Sequence, residues 1–367
     1  MLENKNNTPK YATEAPLFAA ANSGRGFVSF YEEIFNSPNI IRRFLIKGGP
    51  GTGKSSFMRR LAGVLEDNGY ALEYYRCSSD PSSLDGIIID GRIAIIDSTA
   101  PHTVEPSLAG ARDLILDFGE FWDTEALFYE RERIDSLNAQ KKQAYALSYR
   151  FLSSAIESDL ASRELVLPYV NKKRLSKLAK RLLKGIEGGD GYSLKIGLTD
   201  SIGMQGRRSL NGYLVRAERV VYIEEHYGIA FLLISELCEL AREKKTAISV
   251  SYDPLNPDIP NAVFFEGARL LFAVSKERLQ GGVSLRRVLD MSCLAKNKRN
   301  DVKAKSRFAK RVSESLVSSA IDELKGAGDA HFALEKIYGK TMDFLALNEY
   351  TENFIDELLV FLKKYCR

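Results

Sequence analysis

The most informative hydrophobic pattern in this chain is a short apolar run, then a glycine-rich segment, then an amphipathic helix. Residues 44–46 (FLI) are apolar and predict a buried strand. Apolar residues recur at helical spacing across residues 57–65, and Asn68-Gly69 predicts the end of that helix. The chain therefore places a glycine-rich turn between a strand and a helix.

That turn carries a phosphate-binding pattern. Gly48, Gly53, Lys54 and Ser55 satisfy the spacing G-x-x-x-x-G-K-[ST] of the P-loop. Glycines let the backbone fold around a phosphate with its N–H groups inward, and the following helix adds the positive end of its dipole. We expect Lys54 to contact the β- and γ-phosphates of a nucleotide and Ser55 to bind Mg²⁺. The predicted nucleotide-binding residues are Gly48, Gly49, Pro50, Gly51, Thr52, Gly53, Lys54, Ser55 and Ser56.

Further elements follow this helix. Residues 71–77 predict a second strand, and the apolar runs on either side of Asp90-Gly91 predict a β-hairpin. The second of these runs ends at Asp97. From about residue 114 to residue 185, alternating charges and apolar stripes predict long paired helices.

The second half repeats the first. FLSSAIES at 151–158 returns as LVSSAIDE at 316–323, and DGRIAIID at 90–97 returns as EGARLLFA at 266–273. The Asp80-Pro81 pair returns as Asp253-Pro254. We therefore predict an internally duplicated α/β fold with parallel sheets flanked by helices. A P-loop domain would span 1–190 with a helical insertion at about 120–185, and a second domain with a C-terminal helical segment would span 191–367.

The second copy has lost the phosphate-binding residues. Its glycine loop falls at residues 219–229 (RVVYIEEHYGI), which contain no lysine, one glycine and two glutamates that would repel phosphates. Ala273 aligns with Asp97. The sequence predicts a degenerate domain that keeps the fold without the chemistry.

Composition narrows the class of protein. The 367 residues are 45% hydrophobic and 27% charged, a composition typical of a globular protein. The net charge of +4 is too small to imply a polyanionic partner. The cysteines show no metal-ligand spacing, which is typical of a reduced compartment. The N-terminus has no apolar signal segment, and no apolar run of residues is long enough to span a membrane. We therefore expect a cytoplasmic protein. The cysteines are Cys77, Cys238, Cys293 and Cys366.

Three segments carry a family resemblance: FLIKGGPGTGKSSFMRRL, YYRCSSDPSSLDG and IAIIDSTAPHTVEP. Together they resemble a bacterial family of tandem P-loop ATP-binding proteins whose domains each bear a long helical insertion. The resemblance covers most of the chain and is strongest over residues 18–122. It implies ATP and Mg²⁺ as ligands through residues 48–55 and Asp97, and it implies no particular substrate. Typical members carry a P-loop in both halves, which this sequence does not.

Three residues beyond the loop are candidates for the chemistry. Asp97, at the end of a strand, is the candidate Walker B ligand of Mg²⁺, with capping of the following loop as the alternative. Asp80 is a candidate base for an acceptor hydroxyl, or else an Asx-turn residue before Pro81. His102 is a candidate contact to the γ-phosphate or an attacking water, or else a surface-loop histidine.

These residues predict an Mg²⁺-dependent ATP-binding protein with slow ATP hydrolysis coupled to a conformational change. Ser98 follows Asp97 where many hydrolytic ATPases have a glutamate, which lowers the expected turnover. A kinase for a nucleotide or small metabolite, with Asp80 as base, is one alternative, and a non-catalytic ATP-dependent scaffold is another.

Partners are less well specified by the sequence. A protein partner or a second copy could bind through the second half or the helical insertions. Two basic tracts, 172–184 and 296–311, could bind nucleic-acid phosphates or an anionic membrane. They lack interleaved aromatic residues and the net charge is small, which favours solvated helix faces instead.

Overall fold

A computed structural model describes residues 15–189, 191–275, 282–292 and 294–365. In chain order, its strands are β1 (Leu17–Phe18), β2 (Ala20–Ser23), β3 (Gly26–Ser29), β4 (Arg42–Lys47), β5 (Leu72–Arg76), β6 (Leu84–Ile89), β7 (Ile93–Asp97), β8 (Asp113–Asp117), β9 (Leu194–Ile196), β10 (Asp200–Gly203), β11 (Gly206–Ser209), β12 (Arg219–Glu224), β13 (Ile248–Tyr252), β14 (Pro260–Phe265), β15 (Leu270–Ser275) and β16 (Val283–Ser284). Its helices are α1 (Tyr31–Phe35), α2 (Lys54–Asp67), α3 (Thr124–Tyr129), α4 (Arg131–Glu164), α5 (Lys172–Leu182), α6 (Gly212–Arg216), α7 (Ala230–Glu243), α8 (Lys296–Lys340) and α9 (Phe344–Tyr365).

The first sheet has six strands in the order β1-β5-β6-β7-β4-β8. Strand β4 lies parallel to both β7 and β8, whereas β6 is antiparallel to β5 and β7. The predicted hairpin is present, and its turn residues Asp90 and Gly91 both have positive φ, at 48° and 65°. The prediction of a parallel sheet is wrong, because this hairpin reverses the chain within the sheet and makes it mixed.

The second sheet repeats the first in order and direction. Its order is β16-β12-β15-β14-β13-β9, with β12 parallel to β15 and β16, and β14 antiparallel to β13 and β15. A two-stranded antiparallel ribbon follows the first strand of each half, β2-β3 in one and β10-β11 in the other. The predicted internal repeat in an α/β fold is confirmed at this level.

Strand register corrects one detail of the repeat. Ile46 pairs with Asp97 across β4 and β7, and the equivalent Ile223 pairs with Val274 across β12 and β15. Val274, rather than Ala273, therefore occupies the position of Asp97. The shift arises because the turn between β14 and β15 is one residue longer than the turn at Asp90-Gly91.

The two long helices α4 and α8 pack side by side and run antiparallel. An isolated bridge joins Trp122, before α4, to Met342, after α8, and a second joins Val170, after α4, to Leu289, before α8. The buried contacts between the two helices belong to an apolar cluster that also includes Ile202 and Leu255. Its buried members on α4 and α8 are Leu152, Ala155, Ile156, Val317, Ala320 and Leu324.

The helix that follows each of these long helices packs on the sheet of the other half of the chain. Helix α5, from the first half of the sequence, packs on α7 and the second sheet, whereas α9, from the second half, packs on α2 and the first sheet. Each hydrophobic core is thus completed by a helix from the other half of the chain. Burial of large apolar side chains such as Phe354 and Leu358 beside Phe57 contributes roughly 1.5–3 kcal/mol each.

Among the residues the structure describes, no helix combines the length and the apolarity that crossing a membrane requires.

Candidate nucleotide site

The glycine loop lies between β4 and α2, as the sequence predicts. Gly51 and Gly53 adopt φ of 72° and 84°, in the left-handed region that favours glycine. The loop ends at the N-terminus of the 14-residue helix α2, whose N-cap Gly53 offers no side chain to the helix amides. A helix start of this kind carries partial positive charge and unpaired N–H groups, which favour an anion.

Lys54 turns its ammonium group back over the loop. Its Nζ donates hydrogen bonds to the carbonyl oxygens of Gly48 at 3.1 Å and Gly49 at 2.7 Å, and it lies 3.7 Å from Oδ2 of Asp97. The Thr52 hydroxyl also donates to the Gly49 carbonyl, at 2.9 Å. The structure therefore brings together Lys54 and Asp97, two residues predicted from the sequence to share a site.

Asp97 and Ser55 have different partners. Asp97, at the end of β7, accepts hydrogen bonds from the backbone N–H and the hydroxyl of Thr99, so it caps the following turn while facing Lys54. The Ser55 hydroxyl accepts from the backbone N–H of Leu84 at 2.8 Å and donates to its carbonyl at 3.3 Å. Ser55 is thus tied to the start of β6, and Ser56 is exposed.

A second lysine, Lys141 on α4, lies within electrostatic range of Lys54 and was missed by the sequence reasoning. The pKa of Lys141 is lowered by burial and by the nearby Lys54 ammonium group. No carboxylate among the described residues forms an ion pair with it. Lys141 lies in a run of alternating charges that is typical of a solvated helix face, so only the packing of α4 reveals its position.

The end of α8 covers one side of the glycine loop. A methyl group added at Gly51 would lie 2.5 Å from the Glu335 carbonyl oxygen, and one added at Gly49 would lie 3.3 Å from the Tyr338 ring and 3.4 Å from the Trp122 ring. The indole N–H of Trp122 is buried and has no hydrogen-bond partner in the described chain. The glycines are therefore needed for packing as well as for backbone conformation, a second role that the sequence pattern does not reveal.

The corresponding loop of the second half holds a carboxylate of its own. Glu225 accepts hydrogen bonds from the backbone N–H groups of Gly228 at 2.8 Å, Ile229 at 3.1 Å and Ala230 at 3.4 Å. Burial raises the pKa of Glu225, and these three amides and the nearby Arg163 oppose that rise. The sequence predicted only repulsion of phosphates here, whereas Glu225 fills the start of α7 directly.

Asp80 is part of a turn that contacts the second half. Its carboxylate accepts from the N–H and hydroxyl of Ser82, and from the side-chain amide of Gln205 at 3.1 Å. Its counterpart Asp253 likewise accepts two backbone N–H groups, those of Leu255 and Asn256. These contacts match the Asx-turn alternative, and they occupy the carboxylate that a catalytic base would need free.

His102 is buried, so the surface-loop alternative is wrong. Its ring stacks on Tyr31 and meets the edge of Phe27, with both ring centroids 4.8 Å away. Its Nε2 lies 3.6 Å from Oδ2 of Asp85, a buried carboxylate that sequence reasoning did not single out. Burial raises the pKa of Asp85, and Asp97 adds to the rise while His102 opposes it.

A scan against models of protein families, a search of curated proteins and a search of solved structures each found no match to this chain.

Proposed function

We propose that the first half of the chain binds Mg·ATP at the glycine loop, as the resemblance to tandem P-loop ATP-binding proteins implies. The observation that carries this proposal is the glycine loop at the N-terminus of α2, with the Lys54 ammonium group turned over it and 3.7 Å from Asp97. The positive charge of Lys54, and that of Lys141 within its electrostatic range, favour an anion at this loop. A triphosphate supplies that anion, and its size suits a loop of several amides.

Each residue then has a defined role. The backbone of residues 48–56 holds the phosphates, and Lys54 exchanges the carbonyls of Gly48 and Gly49 for phosphate oxygens. Asp97 and the Ser55 hydroxyl offer the oxygen ligands that Mg²⁺ prefers, and the ion when bound neutralises phosphate charge. Lys141 contributes further positive charge from α4.

The proposed reaction is slow hydrolysis by water. Ser98, which follows Asp97, is buried and exchanges hydrogen bonds with the backbone of Val104, so it is not placed to activate water. With no carboxylate at this position, catalysis rests on positioning and charge stabilisation. Because the end of α8 lies against Gly49 and Gly51, nucleotide binding would couple to the position of α8.

A non-catalytic ATP-dependent scaffold is the second candidate. The observation that favours it is Glu225, which fills the second loop and leaves that half without a site for nucleotide cycling. It predicts Mg·ATP binding with no turnover above background.

A turnover assay with purified full-length protein separates these proposals. We expect slow ADP release that depends on Mg²⁺ and is insensitive to a panel of nucleosides and small metabolites. ADP release that requires one of those acceptors would support the kinase alternative, and binding without release would support the scaffold. Absence of nucleotide binding would refute all three.

A further inference from the structure

Three chemically distinct side chains converge at the edge of the first sheet where the glycine loop begins. Cys77 follows β5, Asp85 lies at the start of β6, and His102 lies in the loop after β7. One ligand atom from each, a thiol sulfur, a carboxylate oxygen and an imidazole nitrogen, lies within 4.8 Å of the other two. Residues far apart in the sequence meet here because β6 runs antiparallel to its neighbours, so its start shares an edge with their ends.

This cluster has unsatisfied polar atoms. Asp85 is 3% exposed and His102 is 9% exposed, yet Oδ2 of Asp85 and Nδ1 of His102 have no hydrogen-bond partner among the described residues. The 3.6 Å separation of Asp85 Oδ2 from His102 Nε2 is too long for a hydrogen bond. Buried polar groups are rarely left without partners, so the unpaired Asp85 oxygen, which faces Nε2 of His102, points to a missing ligand between them.

The donor set selects one class of ligand. Thiolate, imidazole and carboxylate together suit Zn²⁺ and related transition metals, whereas Mg²⁺ favours oxygen ligands alone. Zn²⁺ binds such donors at about 2.0–2.3 Å, which places tetrahedral ligands about 3.5 Å apart. Closing the observed cluster around a metal therefore needs movements of about 1 Å.

We propose that Cys77, Asp85 and His102 form a site for Zn²⁺ or a related divalent transition metal, with three protein ligands and one open position. Binding releases the thiol proton of Cys77, whose thiolate is the ligand. The stacking of His102 on Tyr31 holds the imidazole plane in place. These three residues have no role in the proposed nucleotide site, although Asp97 lies close enough to Asp85 to raise its pKa, and metal binding here does not depend on the proposed function.

Cobalt provides the test, because Co²⁺ bound by a thiolate gives a sulfur-to-cobalt charge-transfer absorption band. The probe is Co²⁺ alone, added to reduced, chelator-treated full-length protein without nucleotide. We expect one equivalent to bind with this band, and Zn²⁺ to displace it. Cys77→Ser should remove the band, and His102→Gln should weaken Co²⁺ binding by at least about 10-fold.

A control variant tests whether Cys77 is the cysteine that binds the metal. Cys293 and Cys366 lie outside the described residues, so a variant with Cys238, Cys293 and Cys366 all changed to serine tests whether Cys77 alone suffices. We expect it to keep the band, and this result decides the matter even if Cys77→Ser fails to fold. The proposal is overturned if the unaltered protein gives no band, if the triple variant loses it, or if folded Cys77→Ser retains it.

Discussion

Gly48 and Glu225 occupy equivalent positions in the two halves, each two residues after an equivalent strand residue, Ile46 in β4 and Ile223 in β12. Gly48 has no side chain, whereas the carboxylate of Glu225 turns into its own loop and accepts three backbone N–H groups. The start of the glycine loop is thus open at this position, whereas the equivalent position of the second half is filled by a carboxylate, in a loop that also lacks the lysine. This difference is the structural basis for proposing a nucleotide site in the first half only.

The Lys54 ammonium should contribute directly to nucleotide affinity. We expect Lys54→Ala to weaken Mg·ATP binding about 10- to 100-fold, equivalent to about 1.5–3 kcal/mol of charged contact. Titration calorimetry measures this change. Lys325→Ala, which alters an exposed lysine on α8, is the matched control and should leave affinity unchanged. Equal affinities for the two variants would contradict the role of Lys54.

Lys141 should act on the same ligand from α4. We expect Lys141→Met, which keeps most of the length of the side chain, to weaken Mg·ATP binding about 3- to 10-fold, because it removes a partly buried positive charge within electrostatic range of Lys54. The adjacent Lys142→Met is the control, since Lys142 is exposed. If both variants bind like the unaltered protein, the α4 helix does not take part in the site.

Asp97 should matter chiefly through the metal. We expect Asp97→Asn to reduce Mg²⁺-dependent ATP turnover by at least about 10-fold while changing metal-free nucleotide binding by less than about 3-fold, because in the proposed site the carboxylate binds the ion rather than the phosphates. Measuring both quantities on one preparation separates the roles. Equal losses in the two assays would assign Asp97 to the turn it forms with Thr99.

The Arg43–Asp113 pair should make stability depend on pH. Both side chains are buried, and two hydrogen bonds of 2.7 and 2.9 Å join them. The Arg43 hydrogen bonds lower the pKa of Asp113 well below its usual range, so the ionised carboxylate stabilises the fold above the unfolded pKa of about 3.9 and this contribution is lost as pH falls further.

We therefore expect Asp113→Asn to lower the free energy of unfolding by about 3 kcal/mol at pH 7, and by less at pH 3, in urea titrations. Asp258→Asn disrupts an exposed pair with Arg25 and should cost under about 1 kcal/mol. A loss for Asp113→Asn that stayed constant across this pH range would show that its effect is not electrostatic.

Local patterns in the sequence anticipated the elements that depend on nearby residues. The loop at Gly48–Ser55 and the hairpin turn at Asp90 follow from backbone preferences within a few residues, and the repeat follows from comparing the two halves. The mixed sheet follows from that same hairpin, because a tight turn between neighbouring strands reverses the chain direction within the sheet.

Contacts between distant parts of the chain were not predictable in this way. Lys141 comes within electrostatic range of Lys54 only through the packing of α4, and His102 meets Asp85 only because antiparallel strands share an edge. The packing of α5 and α9 on the sheet of the other half is not visible in the local sequence either. Each helix has an apolar face, and such a face could pack on either sheet. Such features depend on tertiary packing, which residue spacing does not encode.

The number and place of bound nucleotides test the central claim most directly. A crystal structure of the full-length protein with Mg²⁺ and a non-hydrolysable ATP analogue would measure both. We predict one analogue per chain, with its phosphates at residues 48–56, and the Glu225 carboxylate still bound to the amides of the second loop. An analogue in the second loop, or no analogue bound in either half, would contradict the account.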